Sequence, residues 1–423
     1  MSQTVISKGI FHGLPTFSQH QGQRLRIIVT GANGISGSAV VKVLSEAPER
    51  WEKIYALSRR PLQGDYTSNV VPIAVDFLNN GPNEIAKVLA KNHVQADYVY
   101  FSSYVQPPPL AGKGLWSDID ATTTQNVALL SNFLQALLLA NIKPKRILLQ
   151  TGGKHYGLHL GPTASPMEED DPRHGIEGNF YFPQVDLLKA FCRQHGANWV
   201  ETRPCFILGA VENAAMNVIW PLSIYASIQA HLGKPLDFPG DVAAWAAEKA
   251  QSMSTLLGYH AEWALLTPEA GNQALNQSDS SAFAWGKFWP TLASWYNIPV
   301  GQPANDSDAY VTITMPYPVP PRGFGGPGVI KASFSFLEWS KKGEVLNAWD
   351  KVRNKYGLKY SPFGDKSMDT FGLLDAEVLG GWGRVMSMNK NRQLGWHGFV
   401  DTKDAIKQVI IEMAELHMVP PLE

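Results

Sequence analysis

The chain has 423 residues, of which 44% are hydrophobic and 17% charged, and its formal net charge is −1 at pH 7. This composition is typical of a globular protein and gives no electrostatic reason to expect a nucleic acid or an anionic membrane as a partner. Two cysteines do not make a disulfide framework, no apolar run is long enough to span a bilayer, and the first residues lack a signal-peptide pattern, so we expect a cytoplasmic protein.

A glycine-rich loop follows the first strand-like run. Residues 25–30 (LRIIVT) are typical of a buried parallel strand, GANGISG comes next, and the apolar spacing after it predicts a helix. Glycines in this setting permit a tight turn and let a pyrophosphate approach the helix N-terminus. We therefore predict that a dinucleotide binds to Gly31, Asn33, Gly34, Ile35 and Gly37.

The next predicted strand, KIYALSRRP, ends in Ser58, Arg59 and Arg60. An NAD site usually has Asp or Glu at this point, because a carboxylate accepts a hydrogen bond from the ribose 2′-hydroxyl. Two guanidinium groups and a hydroxyl instead offer donors to a 2′-phosphate. The sequence therefore predicts NADP(H) rather than NAD(H) as the cofactor.

Further strand-like runs (VVPIAVDF, ADYVYFSSYV and RILLQTG) alternate with helical stretches. This alternation predicts an α/β fold with a doubly wound, parallel, Rossmann-type sheet, whose ligands bind at the carboxyl ends of the strands. The residues predicted at that edge are Asp76 and Phe77 on the adenine side, and Ser102, Ser103, Gln150 and Thr151 on the nicotinamide side.

The alternation fades after about residue 210. We predict an NADP-binding Rossmann domain over 1–210, with an N-terminal extension over 1–23, and a smaller, mainly helical substrate-binding part over 211–423 that is partly interleaved with it. The many tryptophans of this second half favour a bulky core over an apolar pocket. Residues 300–330 contain PYPVPPRGFGGPG, which predicts either a surface loop or a lid over an apolar pocket.

Lys154 and Tyr181 are the candidate catalytic residues. In short-chain reductases a tyrosine handles the substrate oxygen and a lysine four residues later supports it, but here Val185 has that position. Lys154 follows the run RILLQTG, and Tyr181 would open the next helix at the same sheet edge. We therefore predict that Lys154 reaches the phenol from a separate segment, lowers its pKa and strengthens its hydrogen bond to a substrate carbonyl oxygen.

Motifs throughout the chain carry a resemblance. TGANGISG, ALSRRP, LLQTGGKHYG, NFYFPQVD, RPCFILGAVENAAMN and SMNKNRQLGWHGFVDT resemble the progesterone 5β-reductase/iridoid synthase-like (PRISE-type) enone reductases, an atypical branch of the short-chain dehydrogenases. GIFHGLP and PERWEKIYALSRRP look most like fungal members. The resemblance implies hydride delivery from NADPH to the β-carbon of an α,β-unsaturated carbonyl, with Lys154 and Tyr181 as the active residues.

The resemblance also implies further site residues and two departures. The family usually has a second tyrosine where Phe182 stands and an acidic residue where Val185 stands, so this chain lacks a hydroxyl and a helix-surface carboxylate, which puts its substrate and reaction type in question. The expected additional cofactor contacts are Ile207 and Met216, and the expected substrate-pocket residues are Tyr104, His155, Tyr156 and Phe182.

Several functions stay open. The leading hypothesis is reduction of a C=C bond conjugated to a carbonyl, on a large apolar small molecule of secondary metabolism. The alternatives are direct ketone or imine reduction, a non-redox isomerase or cyclase that uses Tyr181 as an acid, and a cofactor-sensing binding protein. No metal site is expected, because Gly157 between His155 and His159 argues against a helix there. A homodimer is left open.

Overall fold

The structure is a computed structural model that describes residues 4–17, 22–62, 66–111, 113–212, 214 and 216–422. Residues 1–3 and 18–21 of the predicted N-terminal extension lie outside the described residues. The strands are β1 Val5–Lys8, β2 Phe11–Pro15, β3 Leu25–Thr30, β4 Trp51–Ser58, β5 Val70–Ala74, β6 Tyr98–Phe101, β7 Arg146–Gln150, β8 Asn198–Pro204, β9 Ile207–Leu208, β10 Ser252–Met253, β11 Gln273–Gln277, β12 Val311–Thr314 and β13 Val329–Ala332.

The helices alternate with the strands in the first half and dominate the second. They are α1 Ile35–Ser45, α2 Pro82–Lys91, α3 Ile119–Leu139, α4 Tyr181–His195, α5 Ile219–Leu232, α6 Val242–Ala246, α7 Ser254–Leu266, α8 Trp285–Trp295, α9 Phe336–Ser340, α10 Gly343–Tyr356, α11 Ser367–Val378, α12 Asn389–Gln393 and α13 Thr402–Glu415. A 3-10 helix spans Gly153–Tyr156 directly after β7. None of the described helices combines the length and the apolar character that crossing a membrane requires.

Seven parallel strands form the central sheet, in the order β11-β8-β7-β6-β3-β4-β5. The chain moves outward from β3 in one direction through β4 and β5, and then in the other direction from β6 to β11. Ligands of doubly wound sheets bind where this direction reverses, outside the carboxyl ends of the strands. The predicted α/β class, with its doubly wound parallel sheet and helical C-terminal part, is confirmed.

Each face of the sheet buries its own layer of helices. Along β3, Ile27 and Val29 pack into the core that contains α1 and α7, whereas Ile28 packs into the core that contains α2, α3 and α4. This alternation follows from the two-residue period of a strand, and apolar residues on both faces are what a fully covered parallel sheet requires. The helices α1 and α7 approach closely, since a Cβ on Gly258 would lie 3.0 Å from the Ala39 carbonyl oxygen.

The second half of the chain completes the first. Strand β11 adds the edge of the central sheet beside β8, and β10 pairs with β9. The boundary at residue 210 stays a prediction, although elements on both sides of it share one core. The tryptophans belong mostly to that core; those that are essentially inaccessible include Trp263, Trp285, Trp289, Trp349 and Trp396.

Arg146, at the start of β7, ties the sheet to the end of α7. Its buried guanidinium donates to the carbonyl oxygens of Ala264, Leu265 and Thr267 at 2.7, 3.0 and 2.6 Å. The last carbonyls of a helix have no partner within it, and a cation also suits the negative end of the helix dipole. One side chain therefore caps α7 and fixes it to a central strand.

We expect Arg146→Met to lower the free energy of unfolding by about 2–3 kcal/mol, because several buried carbonyls lose a charged donor at once. Urea unfolding followed by circular dichroism measures the change. Arg193→Met, which removes an exposed arginine, is the matched control and should stay within about 0.5 kcal/mol of the parent. Equal stability of the two variants would contradict the capping role.

Candidate active site

A cavity of about 1030 Å³ opens at the carboxyl ends of the central strands. It extends from the glycine-rich loop after β3 to the wall formed by residues 373–384. All predicted cofactor-binding and catalytic residues line it: Gly31, Asn33, Gly34, Ile35, Gly37, Ser58, Arg59, Arg60, Asp76, Phe77, Ser102, Ser103, Gln150, Thr151, Lys154, Tyr181, Ile207 and Met216. Of the predicted substrate-pocket residues, Tyr104 lines it as well.

Two glycines of the glycine-rich loop stand where a side chain would not fit. Gly31 has a φ of +67°, and a Cβ on Gly37 would lie 2.2 Å from the Gly31 carbonyl oxygen. Gly34 caps α1 without a side chain that could accept hydrogen bonds from the first turn. The backbone N–H groups at this helix end therefore face the cavity as anion donors, which is the geometry that a pyrophosphate requires.

The turn after β4 is organised by two of the predicted residues. The Asn33 amide donates to the carbonyl oxygens of Arg60 and Pro61 at 2.9 and 3.1 Å, and the Ser58 hydroxyl donates to the Arg60 carbonyl oxygen at 2.5 Å. Ser58 is thus engaged with the backbone. Arg59 and Arg60 are exposed at the cavity rim, and neither forms an ion pair with a described residue. The positive charge at this rim comes from the two guanidinium groups.

Polar contacts brace the strand ends behind the cavity. The Gln150 amide donates to Ser36 Oγ at 2.9 Å, and the Tyr100 hydroxyl donates to Gln150 Oε1. The Ser102 hydroxyl donates to the Thr30 carbonyl oxygen at 2.8 Å. These bonds join β3, β6, β7 and α1 at the point where the strand order reverses, so the cavity floor is built from fixed side chains.

Lys154 lies in the 3-10 helix that follows β7. Its ammonium lies 3.0 Å from the centroid of the Trp116 ring, whose Nε1–H donates to the Tyr104 hydroxyl at 3.0 Å. Burial lowers the pKa of Lys154 well below its usual range, and the carboxylate of Glu177 opposes this shift. The lysine thus lines the cavity against the face of an aromatic ring, and its protonation equilibrium is shifted toward the neutral amine.

Tyr181 is the first residue of α4, as predicted. Its hydroxyl lies 3.0 Å from the position that a Cβ on Gly152 would occupy, so the absence of a side chain there gives the phenol its place. Burial raises the pKa of Tyr181, and Tyr104 and Glu201 act in the same direction. The predicted lowering of this pKa by Lys154 is wrong in this structure, because desolvation dominates and the ammonium lies over Trp116.

Asn179, which the sequence reasoning missed, joins the two candidate catalytic segments. Its amide donates to the Lys154 carbonyl oxygen at 2.9 Å, and its Oδ1 accepts from the Tyr181 backbone N–H at 3.0 Å. The motif NF before Tyr181 contained the signal, since Asn just before a helix is a frequent cap. One buried side chain therefore fixes the start of α4 against the 3-10 helix.

We expect Asn179→Ala to loosen both segments, because two hydrogen bonds that link them are lost together. Hydrogen–deuterium exchange should become faster at residues 153–156 and in the first turn of α4. Asp401→Ala, which removes the Asp401 side-chain cap of α13 (2.8 Å to Lys403 N), is the control. Each cap loss should cost about 1 kcal/mol, but Asp401→Ala should leave exchange near Tyr181 unchanged. Unchanged exchange there in Asn179→Ala would contradict the bridge.

His155 and Tyr156 face a buried polar network and are not among the residues that line the cavity. His155 Nδ1 lies 3.5 Å from a carboxylate oxygen of Glu201, and the Tyr156 hydroxyl donates to Asn276 at 2.6 Å. Arg203 donates to Glu201 at 2.8 Å. Burial opposes ionisation of Glu201, but His155 and Arg203 outweigh it and lower the pKa of Glu201 to about 2. This network supports the 3-10 helix from behind.

The two departures from the family pattern also lie outside the cavity lining. Phe182 packs against the rings of His155 and His174, with centroids 5.3 and 5.4 Å apart. Val185 is 2% exposed and packs in the core that contains α4, so the expectation of a helix-surface position there is wrong. Among the described residues, no group of three or more His, Cys, Asp or Glu is placed to hold a metal ion.

The Pro/Gly-rich stretch contributes a wall of the cavity. Strands β12 and β13 form a hairpin, and Met315, Pro316, Tyr317 and Ile330 line the cavity. The Tyr317 hydroxyl donates to Glu177 at 2.5 Å, which connects the hairpin to the segment before α4. The stretch is therefore an ordered covering element and not a simple surface linker.

The fold and the cavity together define a Rossmann-type α/β protein with a ligand site at the switch point of its sheet. A family model described as the PRISE-like Rossmann-fold domain matches residues 27–317. The chain belongs to this family, and the resemblance that its motifs carry is confirmed.

Named relatives cover nearly the whole chain. The short chain dehydrogenase gsfE of Penicillium aethiopicum is 28% identical over 399 residues, which are 93% of this chain and 98% of that protein. The (S)-8-oxocitronellyl enol synthase of Nepeta cataria is 27% identical over 402 residues, with 93% and 92% covered. The 3-oxo-Δ4,5-steroid 5β-reductase of Arabidopsis thaliana is 25% identical over 414 residues, with 93% and 92% covered.

Solved structures share the fold. The UDP-glucose 4-epimerase of Thermotoga maritima superposes with a TM-score of 0.58 at 13% identity, over 93% of this chain and 99% of that chain. The enzyme WbmG of Bordetella bronchiseptica, solved in complex with NAD, gives a TM-score of 0.56 at 14% identity, over 94% and 97%. At this identity the likeness concerns the architecture of the chain.

Proposed function

We propose that the protein is an NADPH-dependent reductase of the C=C bond of an α,β-unsaturated carbonyl, and that it acts on an apolar small molecule of secondary metabolism. The observation that carries the proposal is the position of Tyr181 and Lys154 in the lining of one cavity that also contains the glycine-rich loop, where Gly31 and Gly37 leave no room for a side chain. Relatives named as a steroid 5β-reductase and as enol synthases support the same class of substrate.

The residues of the loop and the rim fit a phosphorylated dinucleotide. The α1 N-terminus and the cradle at Gly31 and Gly37 suit the pyrophosphate. Arg59 and Arg60 suit the 2′-phosphate that distinguishes NADPH from NADH, and no described carboxylate is paired with them. NAD bound in the structurally similar WbmG supports a nicotinamide dinucleotide in general.

We expect the double variant Arg59→Ala/Arg60→Ala to bind NADPH at least about ten-fold more weakly, because charge-assisted hydrogen bonds to the phosphate are lost. Its affinity for NADH should change by less than about three-fold, since NADH has no 2′-phosphate. Titration of cofactor fluorescence measures both constants, and Arg193→Ala is the surface control. NADH binding to the parent protein as tightly as NADPH would refute this assignment.

The chemistry of the chain's own residues follows from burial. Bound NADPH would supply a hydride to the β-carbon of the enone. The Tyr181 phenol, with its raised pKa, stays a hydrogen-bond donor at neutral pH and donates to the carbonyl oxygen as negative charge grows there. A hydrogen-bond donor stabilises a developing negative charge more strongly where water is excluded. Protonated Lys154 would add positive potential at the same edge of the sheet. Apolar walls from Phe206, Leu373 and Trp382 suit the body of the substrate.

The same residues would serve direct reduction of a carbonyl, so the position of label decides between the two reactions. With deuterated NADPH, the proposed reaction places deuterium on the β-carbon, whereas carbonyl reduction places it on the carbonyl carbon.

The altered residues Phe182 and Val185 were the reason to consider a non-redox isomerase. Since neither lines the cavity, no observation favours that alternative.

We expect Tyr181→Phe to lower kcat/KM by about 100-fold or more, because the developing enolate loses its donor. NADPH affinity should stay unchanged. Lys154→Met should lower the rate less, since its ammonium acts at longer range. Anaerobic NADPH oxidation with a panel of enones provides the measurement. Tyr310→Phe, whose hydroxyl donates to Ala304 away from the cavity, is the control. Turnover by Tyr181→Phe at the parent rate would exclude the mechanism.

A further inference from the structure

Two basic side chains lie in the cavity wall that the second half of the chain contributes. Lys249 and Arg384 line the cavity although they are only 3% and 5% exposed. They are paired in a parallel β-bridge, with the Arg384 N–H donating to the Glu248 carbonyl oxygen and the Ala250 N–H to the Arg384 carbonyl oxygen. The backbone therefore holds both residues side by side.

Backbone carbonyls hold the ammonium of Lys249. Its Nζ donates to the carbonyl oxygens of Gly380 and Trp382 at 2.6 and 3.0 Å. An ammonium has three donors, so one remains for a ligand. No carboxylate of the described residues lies within ion-pair distance of Lys249. The lysine is thus oriented by neutral acceptors, and its charge has no paired counterion.

Arg384 forms an ion pair with the carboxylate of Glu377. Its guanidinium pairs with Glu377, which also accepts from the Gln251 amide at 2.6 Å, and it lies 4.1 Å from the centroid of the Phe206 ring. Its Nε has no hydrogen-bond partner among the described residues. Two buried basic side chains therefore share one carboxylate, so this wall has one basic group without an acidic partner among the described residues.

A buried charge without a counterion is costly, and a ligand that supplies the missing charge recovers that cost. Burial lowers the pKa of Lys249 to about 7, Arg384 adds to the shift, and Glu377 and Cys205 oppose it. An anion against the ammonium would reverse the shift, because opposite charges favour the charged form. The wall is therefore suited to a negatively charged group.

The cofactor phosphates already have other proposed partners in this cavity. Their proposed partners are the α1 N-terminus and Arg59 and Arg60, and none of these bonds to Lys249 or Arg384. The lining that surrounds the two basic residues includes the apolar side chains of Phe206, Leu373 and Trp382. A ligand that matches this wall has an apolar body and a single anionic group.

We propose that Lys249, supported by Arg384, binds a carboxylate of the substrate. This inference rests on the proposed function and narrows its substrate class to enones that bear an acid group. Lys249 donates its remaining N–H to the carboxylate, Arg384 beside it offers the Nε–H that has no partner among the described residues, and the apolar wall holds the carbon skeleton. The acid group then fixes which end of the molecule faces Tyr181.

Binding of unreactive ketones tests the site without turnover. The protein, saturated with NADP⁺, is titrated by calorimetry with 4-(4-carboxyphenyl)butan-2-one and with its methyl ester. A second acid–ester pair, with a longer carbon chain between the ketone and the acid group, tests a larger distance between these two groups. We expect an acid to bind at least about ten-fold more tightly than its ester, as a charge-assisted hydrogen bond implies. Esters that bind as tightly as the acids in both pairs would overturn the inference.

Variants assign the preference to the lysine. In Lys249→Met the acid and the ester should bind within about three-fold of each other, whereas Lys287→Met, which removes an exposed lysine on α8, should keep the full preference. An unchanged preference in folded Lys249→Met would overturn the assignment. If Lys249→Met does not fold, Arg384→Lys, which keeps a cation but loses the fork on Glu377, should weaken the preference, and an unchanged preference there counts against the site.

Turnover of an uncharged enone separates this inference from the proposed function. If benzylideneacetone and its carboxylated analogue are not reduced but acid binding depends on Lys249, the reductase proposal fails and the carboxylate site stands. If the enones are reduced and no acid preference exists, the reductase proposal stands and the carboxylate site fails.

Discussion

The Asn179 side chain joins the segments that carry Lys154 and Tyr181, whereas in typical short-chain reductases one helix carries both the tyrosine and the lysine. A tyrosine and a lysine four residues apart on one helix share a face without further help. Here the lysine lies on a 3-10 helix of four residues, an element too short to hold its own position. The amide and the oxygen of Asn179 bind the Lys154 carbonyl and the Tyr181 N–H, so two hydrogen bonds from one residue join the two segments, in addition to the Glu201–Arg203 network behind the 3-10 helix.

Burial acts on the titratable groups of the cavity in one direction. It raises the pKa of Tyr181 and lowers the pKa of Lys154 and Lys249, so each group is shifted toward its neutral form. Negative charge introduced into such a cavity interacts with poorly solvated hydrogen-bond donors, and the attraction is stronger there than in water. The proposed contacts of Tyr181 with a growing oxyanion and of Lys249 with a substrate acid both depend on this property.

Local patterns were enough to predict the glycine loop, the parallel sheet and the ends of strands that line the cavity, because each depends on a few neighbouring residues. The positions of Lys154 and Tyr181 could be predicted since each lies in the first turn of a helical segment at one sheet edge. The directions of His155, Tyr156 and Phe182 could not, because distant partners such as Glu201 and Arg203 determine them. Val185 was misjudged for a related reason, as only the packing of α4 shows that it is buried.

The close approach of α7 to α1 has a consequence for any truncation of the chain. Gly258 lets α7 lie directly on α1, the helix that follows the glycine-rich loop, and β11 forms the edge of the sheet beside β8. The two halves therefore share buried surface, and a fragment that ended near residue 210 would expose the α7-facing side of α1 and the outer edge of β8 to water.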